Sequence, residues 1–475
     1  MTAPRLKIKE VRLHGRDFRL RIPFRYGMVT LEAATQAFAR VRVDVDGYGD
    51  VWGASAEVFA PKWFDKRAEL TNEQDVENLK TSVRIAAEGY LAGGPDTAFG
   101  IFAGNYSDQL SRCAEADLPP LAAGFGPALL DRAVADALAK AKGLTFAETI
   151  QRNLIGLDVR LTPDLGSFDL DAFLGSLQPL EQVHARHTVG LIDALHAGDL
   201  APGDRLNDGL PETLEDVIAA YGHRYFKLKI GGEVASDLER LRQIAAVLDQ
   251  LDQPYFASLD GNEQYQSAEG ILELMARVAA DPSLERFRQS LIYFEQPIHR
   301  AASAVTDVSP LAVHAPVVID ESDATLSTFP EHRPLGYAGV SSKCCKGYTK
   351  SLLNLARCKL WNQEAGAEQY FLTGEDLTMQ AGLAVQQDLT LVSLLGISHV
   401  ERNGHHFIFG MSAAGDAEQA AFLGAHPELY RSVSGTTCLD IRDGILATDG
   451  LISEVGFASK VEPDWDAMDE VFTLN

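Results

Sequence analysis

The strongest constraint on the fold is an alternation, repeated eight times, between short apolar segments and amphipathic stretches. The segments are HTVGLI (187–192), YFKLKI (225–230), YFASLD (255–260), LIYFEQP (291–297), PVVIDES (316–322), GVSSKC (339–344), QYFLTGED (369–376) and SHVERNG (398–404). Stretches between them, such as VASDLERLRQIAAVLDQ, place apolar residues three and four apart, which indicates helices. Eight strand–helix units with parallel strands close into a TIM-type (β/α) barrel. We therefore predict an α/β fold with a barrel over residues 151–410.

The regions on either side of the barrel predict a second domain. The chain has 475 residues, more than a single core usually supports. Residues 5–60 have the alternation of strands and residues 70–150 the periodicity of helices, so an α+β capping domain is expected over 1–150. Beyond 410, a helical QAAFLGAHPELYR and a hairpin-like LDIRDGILATDGLISEV predict a C-terminal segment, 411–475, that packs back on the cap. The Gly/Pro/Asp-rich stretch 194–217 is interpreted as an insertion.

Charge and composition narrow the classes of partner. A net charge of −25 argues against nucleic acids and anionic membranes. The sequence lacks an apolar run near the ~18 residues that a spanning helix needs, and its N-terminus lacks the pattern of a signal peptide. An odd number of cysteines, five, is typical of free thiols in a reducing compartment. A cytoplasmic enzyme of small molecules is the expectation.

Charged residues stand at the ends of five consecutive predicted strands, where a barrel gathers side chains at one mouth. They are Lys227 with Lys229, Asp260, Glu295, Asp320 with Glu321, and Lys343. Side chains alternate along a strand, so the two lysines of KLK point the same way. Adjacent carboxylates raise each other's pKa and favour a bound cation, for which Mg²⁺ with oxygen ligands is the natural choice. Lysines beside each other and a metal are expected to have a lowered pKa, which suits a general base.

Five motifs in this order carry a family resemblance. KLK (227–229), LDGNEQY (259–265), FEQP (294–297), IDES (319–322) and SKCCKG (342–347) resemble the enolase superfamily, and more closely its muconate-lactonizing/mandelate-racemase-like branch. The resemblance implies an enolase-like modified barrel, a cap completed by the C-terminal tail, and abstraction of the proton α to a carboxylate while Mg²⁺ holds the enediolate.

The resemblance also implies a role for each matching position. It assigns the Mg²⁺ ligands to Asp260, Glu295 and Asp320. It assigns the acid/base pair on opposite faces of the substrate to Lys229 and Lys343. Lys227 resembles the partner of Lys229 and of the substrate carboxylate, and Asn262 and Glu321 resemble residues that surround the ligands.

Two departures from the family pattern bear on the reaction. YFLTGEDL offers no histidine base and HVERNG lacks the DxD of dipeptide epimerases, so the acid/base pair is lysine with lysine and a dipeptide substrate is disfavoured. The symmetry of the pair favours a racemase or epimerase of a small carboxylate. The alternatives are a lyase, dehydratase or cycloisomerase, more remotely a glycoside hydrolase using Asp260 and Glu295, and last a scaffold without activity. Barrels of this kind commonly assemble, so a homo-oligomer is expected.

Several other residues allow a structural interpretation beside a functional one. Lys346 and Lys350 are expected to be solvated helix residues. The HxxH pair His184 and His187 lacks a visible third ligand, which favours a structural role, and packing is favoured for the pair that follows the last strand. That pair is His405 and His406.

The mouth of the predicted barrel leaves further positions open. Substrate contact and packing remain equal alternatives for three acidic residues at the last two strand ends, Glu375, Asp376 and Glu401. Cap loops are predicted over 14–27 and 52–66, with Arg25, Tyr26 and Trp63 as candidates for substrate contact.

Overall fold

The structure, a computed structural model, describes residues 2–26, 29–201 and 203–475. The strands are β1 (Leu6–Tyr26), β2 (Val29–Val45), β3 (Gly49–Phe59), β4 (Gln182–Val189), β5 (Tyr225–Lys229), β6 (Phe256–Asp260), β7 (Leu291–Glu295), β8 (Val317–Ile319), β9 (Tyr337–Ser342), β10 (Phe371–Gly374), β11 (His399–Arg402), β12 (Tyr430–Val433), β13 (Thr436–Leu439), β14 (Ile445–Ala447) and β15 (Asp469–Leu474).

Helices alternate with the barrel strands and also cover the N-terminal sheet. The α-helices are α1 (Asn72–Ala92), α2 (Ala98–Glu115), α3 (Pro120–Ala123), α4 (Phe125–Lys142), α5 (Phe146–Gln151), α6 (Leu170–Ser176), α7 (Leu214–Tyr221), α8 (Val234–Leu248), α9 (Ala268–Ala280), α10 (Glu285–Ser290), α11 (Arg300–Ser303), α12 (Thr328–His332), α13 (Tyr348–Ala365), α14 (Leu383–Leu394), α15 (Gly404–Phe407), α16 (Asp416–Ala425) and α17 (Asp449–Ser453). Short 3₁₀ helices cover Pro163–Leu165, Ala197–Asp199, Pro282–Leu284, Ser309–Val313, Arg333–Leu335, Cys344–Lys346 and Trp465–Ala467.

Strands β4 to β11 form the predicted barrel. Each pairs in parallel with the next, and β11 pairs in parallel with β4, which closes the cylinder. The short strand β14 adds to β4 in the antiparallel direction. The closed eight-stranded parallel barrel confirms the predicted fold class, and it brings the carboxyl ends of all eight strands to one mouth.

The N-terminal sheet lies beside this barrel and has the order β15-β1-β2-β3, with antiparallel pairing throughout. Strand β15, from the C-terminal end of the chain, pairs with β1. The sheet packs on α4, and this contact requires glycine at position 53, because a Cβ there would lie 1.9 Å from the carbonyl oxygen of Ala133. The domain boundaries at 150 and 410 stay a prediction.

Three expected elements differ from the structure: a hairpin in the C-terminal segment and both cap loops, of which the one over 52–66 lies in β3 as far as Phe59. The predicted hairpin around LDIRDGILATDGLISEV is instead one strand, β14, and the helix α17, because Ile445–Ala447 pairs with the barrel. The hairpin of this region is formed earlier, by β12 and β13. The predicted cap loop over 14–27 lies largely in β1, which forms a long hairpin with β2 and reaches over the barrel mouth.

The cysteines and the apolar character of the helices can be read directly from the structure. All five cysteines are free and buried. Across the described ranges, the helices lack the combination of length and apolar character that crossing a membrane requires.

Candidate active site

The KLK motif places two ammonium groups inside the barrel. On β5, Phe226 and Leu228 face outward and are fully buried under the helices, so Lys227 and Lys229 point inward. Lys227 Nζ lies 2.9 Å from Asp260 and 2.7 Å from Glu295. One buried ammonium therefore bridges the ends of β6 and β7.

Lys229 is held by the turn that follows β6. Its Nζ lies 2.5 Å from Asp260 Oδ2 and 2.6 Å from Asn262 Oδ1. Asn262 and Glu263 both have left-handed backbones, with φ of 40° and 69°, a conformation that costs energy outside glycine. This strained turn aims the Asn262 side chain at Lys229 on one side and lets it donate to Glu321 on the other, at 3.0 Å.

The end of β7 carries Glu295 and a residue that sequence reasoning missed. Gln296 follows Glu295 with φ of 32°, and its Oε1 accepts from the backbone N–H of Asp320 at 2.9 Å. Its Nε2 donates to Ser322 Oγ at 2.7 Å. The Gln296 amide therefore ties the ends of β7 and β8 together and orients Asp320. The EQP motif was the available signal, since it places a polar amide directly after the charged end of a buried strand.

Lys343 reaches Asp320 from β9. Its Nζ lies 2.7 Å from Asp320 Oδ2, while Ser341 Oγ donates to Asp320 Oδ1. The expectation for Lys346 is wrong: this lysine is buried and lies 3.1 Å from Asp320 Oδ1. Lys350 is buried too, 3.1 Å from Asp323 Oδ2. Both were interpreted as helix surface, but the turn after β9 and the start of α13 pack against the end of β8, which buries this side of the helix.

Two carboxylates from the last two strands complete the interior. Lys227 Nζ lies 2.9 Å from both Glu375 on the β10 end and Glu401 on β11. Arg186 on β4 donates to Glu375 at 2.5 Å, and Thr188 donates to Glu401 at 2.6 Å. The acidic residues at these strand ends therefore belong to the site interior, with Glu401 also facing the cavity described below.

Burial and neighbouring charge compete at each carboxylate. Burial disfavours ionisation of Asp260, but Lys227 and Lys229 outweigh it and hold the Asp260 pKa below its ordinary value. At Asp320, Lys343 and Lys346 likewise outweigh burial and lower the pKa. Burial together with the neighbours Asp260 and Glu375 raises the pKa of Glu295 well above its usual range.

Neighbouring carboxylates raise the pKa of two of the lysines. Burial alone would lower the pKa of Lys343, but the bonded Asp320 carboxylate outweighs it and raises the pKa above the ordinary value. The Lys227 pKa is also raised, since four carboxylates surround it against the effect of burial. The nearest charged neighbours of these two amines are carboxylates and not each other, and a lowered pKa beside a metal ion stays a prediction.

The cap closes the cavity above these charges with an apolar roof. The cavity is open on one side, and its floor includes Lys227, Lys229 and Lys343. The roof comes from the β1–β2 hairpin, the turn after β3 and the β10 loop, through Phe24, Leu31, Ala60, Trp63 and Leu377. Of the cap candidates, Trp63 lines the cavity with its ring 4.4 Å from Lys343 Nζ, and Arg25 is exposed. The Tyr26 side chain lies outside the described part of the chain.

Ionic contacts fasten the turn after β3 to the barrel mouth. Arg300 donates two bonds to Glu263, at 2.7 and 2.9 Å, and two more to the carbonyls of Trp63 and Phe64. Lys66 contacts Glu263 and donates to the Asn262 carbonyl at 3.1 Å. The strained turn that holds Lys229 thus also holds the cap turn that carries Trp63.

The two histidines of the HxxH pair, His184 and His187, lie in different surroundings. His184 is half-buried beside Tyr225, with ring centroids 5.0 Å apart. His187 lies apart from it, among His223, His405 and His406. Burial lowers the pKa of His223 to about 4 and that of His406 to about 3. The HxxH pair is therefore not a pair in space.

The structure defines a closed (β/α) barrel with a capping domain, in which charged side chains gather at the strand ends. Residues 209–344 match the family model described as Enolase C-terminal domain-like. No curated protein gives a significant match. The match covers the strands that supply KLK, Asp260, Glu295, Asp320 and Lys343.

Solved structures resemble the chain over nearly its whole length. A member of the enolase superfamily from Roseovarius nubinhibens ISM is 18% identical, with a TM-score of 0.59, covering 99% of this chain and 100% of its own. A 2-chloromuconate cycloisomerase from Rhodococcus opacus 1CP is 15% identical, with a TM-score of 0.61, covering 97% and 98%. An enolase from Bradyrhizobium complexed with magnesium and mandelic acid is 16% identical, with a TM-score of 0.59, covering 98% and 97%. The family model covers less than a third of the chain, and these neighbours, each under 20% identical, show that the chain shares their fold.

Proposed function

We propose that the chain is a Mg²⁺-dependent enzyme of the enolase superfamily that abstracts the proton α to a substrate carboxylate, and that it acts as a racemase or epimerase. One observation carries the proposal. Lys229 and Lys343 line one covered cavity, and each is bonded to a carboxylate from a different strand end, Asp260 or Asp320. Two amines that line one cavity can act on opposite faces of one substrate, one as the base and the other as the acid.

The residues present fit a magnesium ion. Asp260, Glu295 and Asp320 would hold it, because all three are buried oxygen donors at adjacent strand ends. Glu295 Oε2 is a buried oxygen without a hydrogen-bond partner in the described chain, as a ligand atom would be. When bound, Mg²⁺ supplies positive charge that stabilises the substrate carboxylate as its α-proton leaves.

The lysines supply the proton transfers. We assign to Lys229 the proton on one face of the substrate and to Lys343 the proton on the other. Asn262 orients Lys229 through its Oδ1, and Ser341 and Lys346 hold Asp320 beneath Lys343. Fixed amines at a preformed cavity need little rearrangement at the moment of reaction, which is the advantage of preorganisation.

The cavity lining suggests the substrate class. A charged floor under the apolar roof of Phe24, Leu31, Ala60, Trp63 and Leu377 suits a small carboxylate with an apolar body. The roof also excludes water from the reacting carbon, which protects an anionic intermediate from side reactions. We propose a small apolar or aromatic carboxylic acid as the substrate.

A lyase or cycloisomerase is the second candidate, and a specific observation favours it. The Trp63 ring covers Lys343 at 4.4 Å, and a cation–π contact stabilises the charged amine. An amine that stays charged would stabilise negative charge and leave Lys229 as the only base. A glycoside hydrolase fits poorly, since one ammonium, Lys227, bridges the two carboxylates that would have to flank a sugar.

Deuterium exchange tests the proposal without knowledge of the product. The purified protein is incubated in D₂O with Mg²⁺ and a library of carboxylic acids, and incorporation at the α-carbon is read by mass. We expect exchange for at least one acid and its loss on chelation. Absence of exchange across aromatic, acylamino and cyclic acids would overturn the proposal.

Variants of the two lysines then separate the two candidates. In a racemase, Lys229→Ala or Lys343→Ala blocks interconversion, while the remaining lysine still exchanges the α-proton of one enantiomer. In a lyase or cycloisomerase, Lys343→Arg keeps part of the activity and Lys229→Arg does not, because arginine does not deprotonate near neutral pH. Lys359→Ala, at an exposed position on α13, is the control. Full activity in either alanine variant would contradict both candidates.

A further inference from the structure

Three histidines from separate segments meet outside the barrel wall. His187 lies on β4, His223 lies just before β5 and His405 lies in α15, and all three are buried. One ring nitrogen from each lies within 4.8 Å of the other two. The neighbours of His187 on β4, Arg186 and Thr188, bond inward to Glu375 and Glu401, so His187 points away from the substrate cavity.

One nitrogen–nitrogen distance in this trio matches the spacing of two ligands on a metal ion. His187 Nδ1 and His405 Nε2 lie 3.3 Å apart, and two nitrogens bound at ~2.05 Å to a tetrahedral zinc ion are separated by about the same distance. His223 Nδ1 lies 3.0 Å from the carbonyl oxygen of Ala185, to which it donates. That bond leaves the lone pair on His223 Nε2 free, as the outer partner of a metal-bound histidine does.

Unpartnered atoms distinguish this cluster from ordinary packing. His223 Nε2 and His405 Nδ1 are buried and have no hydrogen-bond partner among the described residues. Each buried polar atom of this kind costs about 1–3 kcal/mol. A metal ion bound by all three rings would offset the cost at His223 Nε2 directly. The hydrogen bond between His187 and His405 leaves that atom without a partner.

We propose that His187, His223 and His405 bind one divalent transition-metal ion, with zinc as the best fit, separately from the carboxylate site. Imidazole nitrogens suit zinc and its neighbours, whereas magnesium prefers oxygen. Three protein ligands leave a fourth position for solvent or a small ligand. The neighbouring His406 lines an open groove with Arg21 and Asp193, which provides a route for the ion.

The location gives the ion a positioning role. Helix α15 connects Asn403, which lines the substrate cavity, to Phe407, whose ring lies 4.3 Å from that of Phe24 in the cavity roof. A metal ion on His405 would fasten this helix to β4 and to the segment before β5. It would thereby hold one wall and part of the roof of the cavity in place.

Metal titration of the full-length protein tests the site. The protein is stripped with a chelator and kept in saturating Mg²⁺, which occupies the carboxylate site, before Zn²⁺ is added in a calorimeter. Co²⁺ replaces Zn²⁺ in a parallel absorption experiment, since tetrahedral cobalt absorbs visible light strongly. The variants are His223→Gln and His405→Gln. The matched control is His184→Gln, because His184 is half-buried, lies on the same strand as His187 and is outside the trio.

We expect one equivalent of Zn²⁺ to bind the unaltered protein and the control, with a tetrahedral cobalt spectrum. Affinity should fall at least about 100-fold in the two variants, more than loss of an outer partner usually causes, while circular dichroism stays unchanged. No binding to the unaltered protein, or an affinity in both variants equal to that of the unaltered protein, would refute the site. If the variants do not fold, the cobalt form of the unaltered protein decides: hyperfine-shifted imidazole N–H proton signals support the site, and their absence overturns it.

Discussion

Replacing Glu263 with glutamine should loosen the cap turn that carries Trp63. Glu263 is almost fully buried and receives Arg300 through Nε, Nη2 and the backbone N–H, at 2.7, 2.9 and 2.8 Å. Removing one partner of a buried pair costs roughly 3–5 kcal/mol. The cost should be smaller here, because the side chains of Arg300 and Lys66 are 21% and 25% exposed and the glutamine oxygen still accepts one hydrogen bond. We therefore expect the turn to lose about 2–3 kcal/mol of stability.

That loss should appear as local opening before global unfolding, because the turn is fastened at few points. Arg300 also bonds the carbonyls of Trp63 and Phe64, so freeing its guanidinium releases the turn. Hydrogen exchange of a peptide spanning 60–67 reports this opening. A change of about 2 kcal/mol raises its exchange rate roughly 30-fold.

A matched control and a double variant complete the test. The control is Glu285→Gln. Glu285 also accepts two hydrogen bonds from an arginine, Arg288, but on the exposed surface, so this change should leave the exchange rate of the 60–67 peptide unaltered. Glu263→Gln combined with Arg300→Gln should exchange little faster than either alone, since each already breaks the same contact. Unchanged exchange in both single variants would show that the ion pair does not hold the turn.

Three other changes test burial, packing and the carboxylate site. Asp131 is buried, and burial raises its pKa to about 7. Between pH ~4 and pH 7 the folded state therefore keeps a proton on Asp131 that the unfolded state releases. The free energy of unfolding falls as pH rises through this range. At pH 8, the free energy of unfolding of Asp131→Asn should exceed that of the unaltered protein by on the order of 1–3 kcal/mol. Equal melting temperatures of the two proteins at pH 8 would contradict this. Gly53→Ala should destabilise the cap by about 3 kcal/mol through overpacking, whereas Gly94→Ala, with open space around its Cβ, should not; equal thermal unfolding of the two would disprove the packing argument. Asp260→Asn and Glu295→Gln should each weaken Mg²⁺ binding by calorimetry, because each removes one charged oxygen donor, and unchanged affinity would remove both from the site.

The barrel and the gathering of charges at its mouth are predictable from local pattern. Strand–helix alternation repeated eight times leaves few topologies open, and closure puts every strand end at one rim. The alternation in KLK was enough to send Lys227 and Lys229 to the same side, since the side-chain period of a strand is two. Prediction failed where pairing is chosen at long range, as for β14, whose three residues joined the barrel instead of forming a hairpin.

Only the tertiary structure decided what surrounds each charge. The local sequence does not show that Lys346 forms an ion pair with Asp320 or that Gln296 joins two strand ends. Those contacts depend on how β8, β9 and α13 pack. The same holds for the histidines: His187 and His184 share a strand but face different neighbours, while His223 and His405 approach from distant segments. Charge and metal-binding capacity depend on distances of a few ångströms, and residues far apart in sequence reach those distances only through the closed barrel.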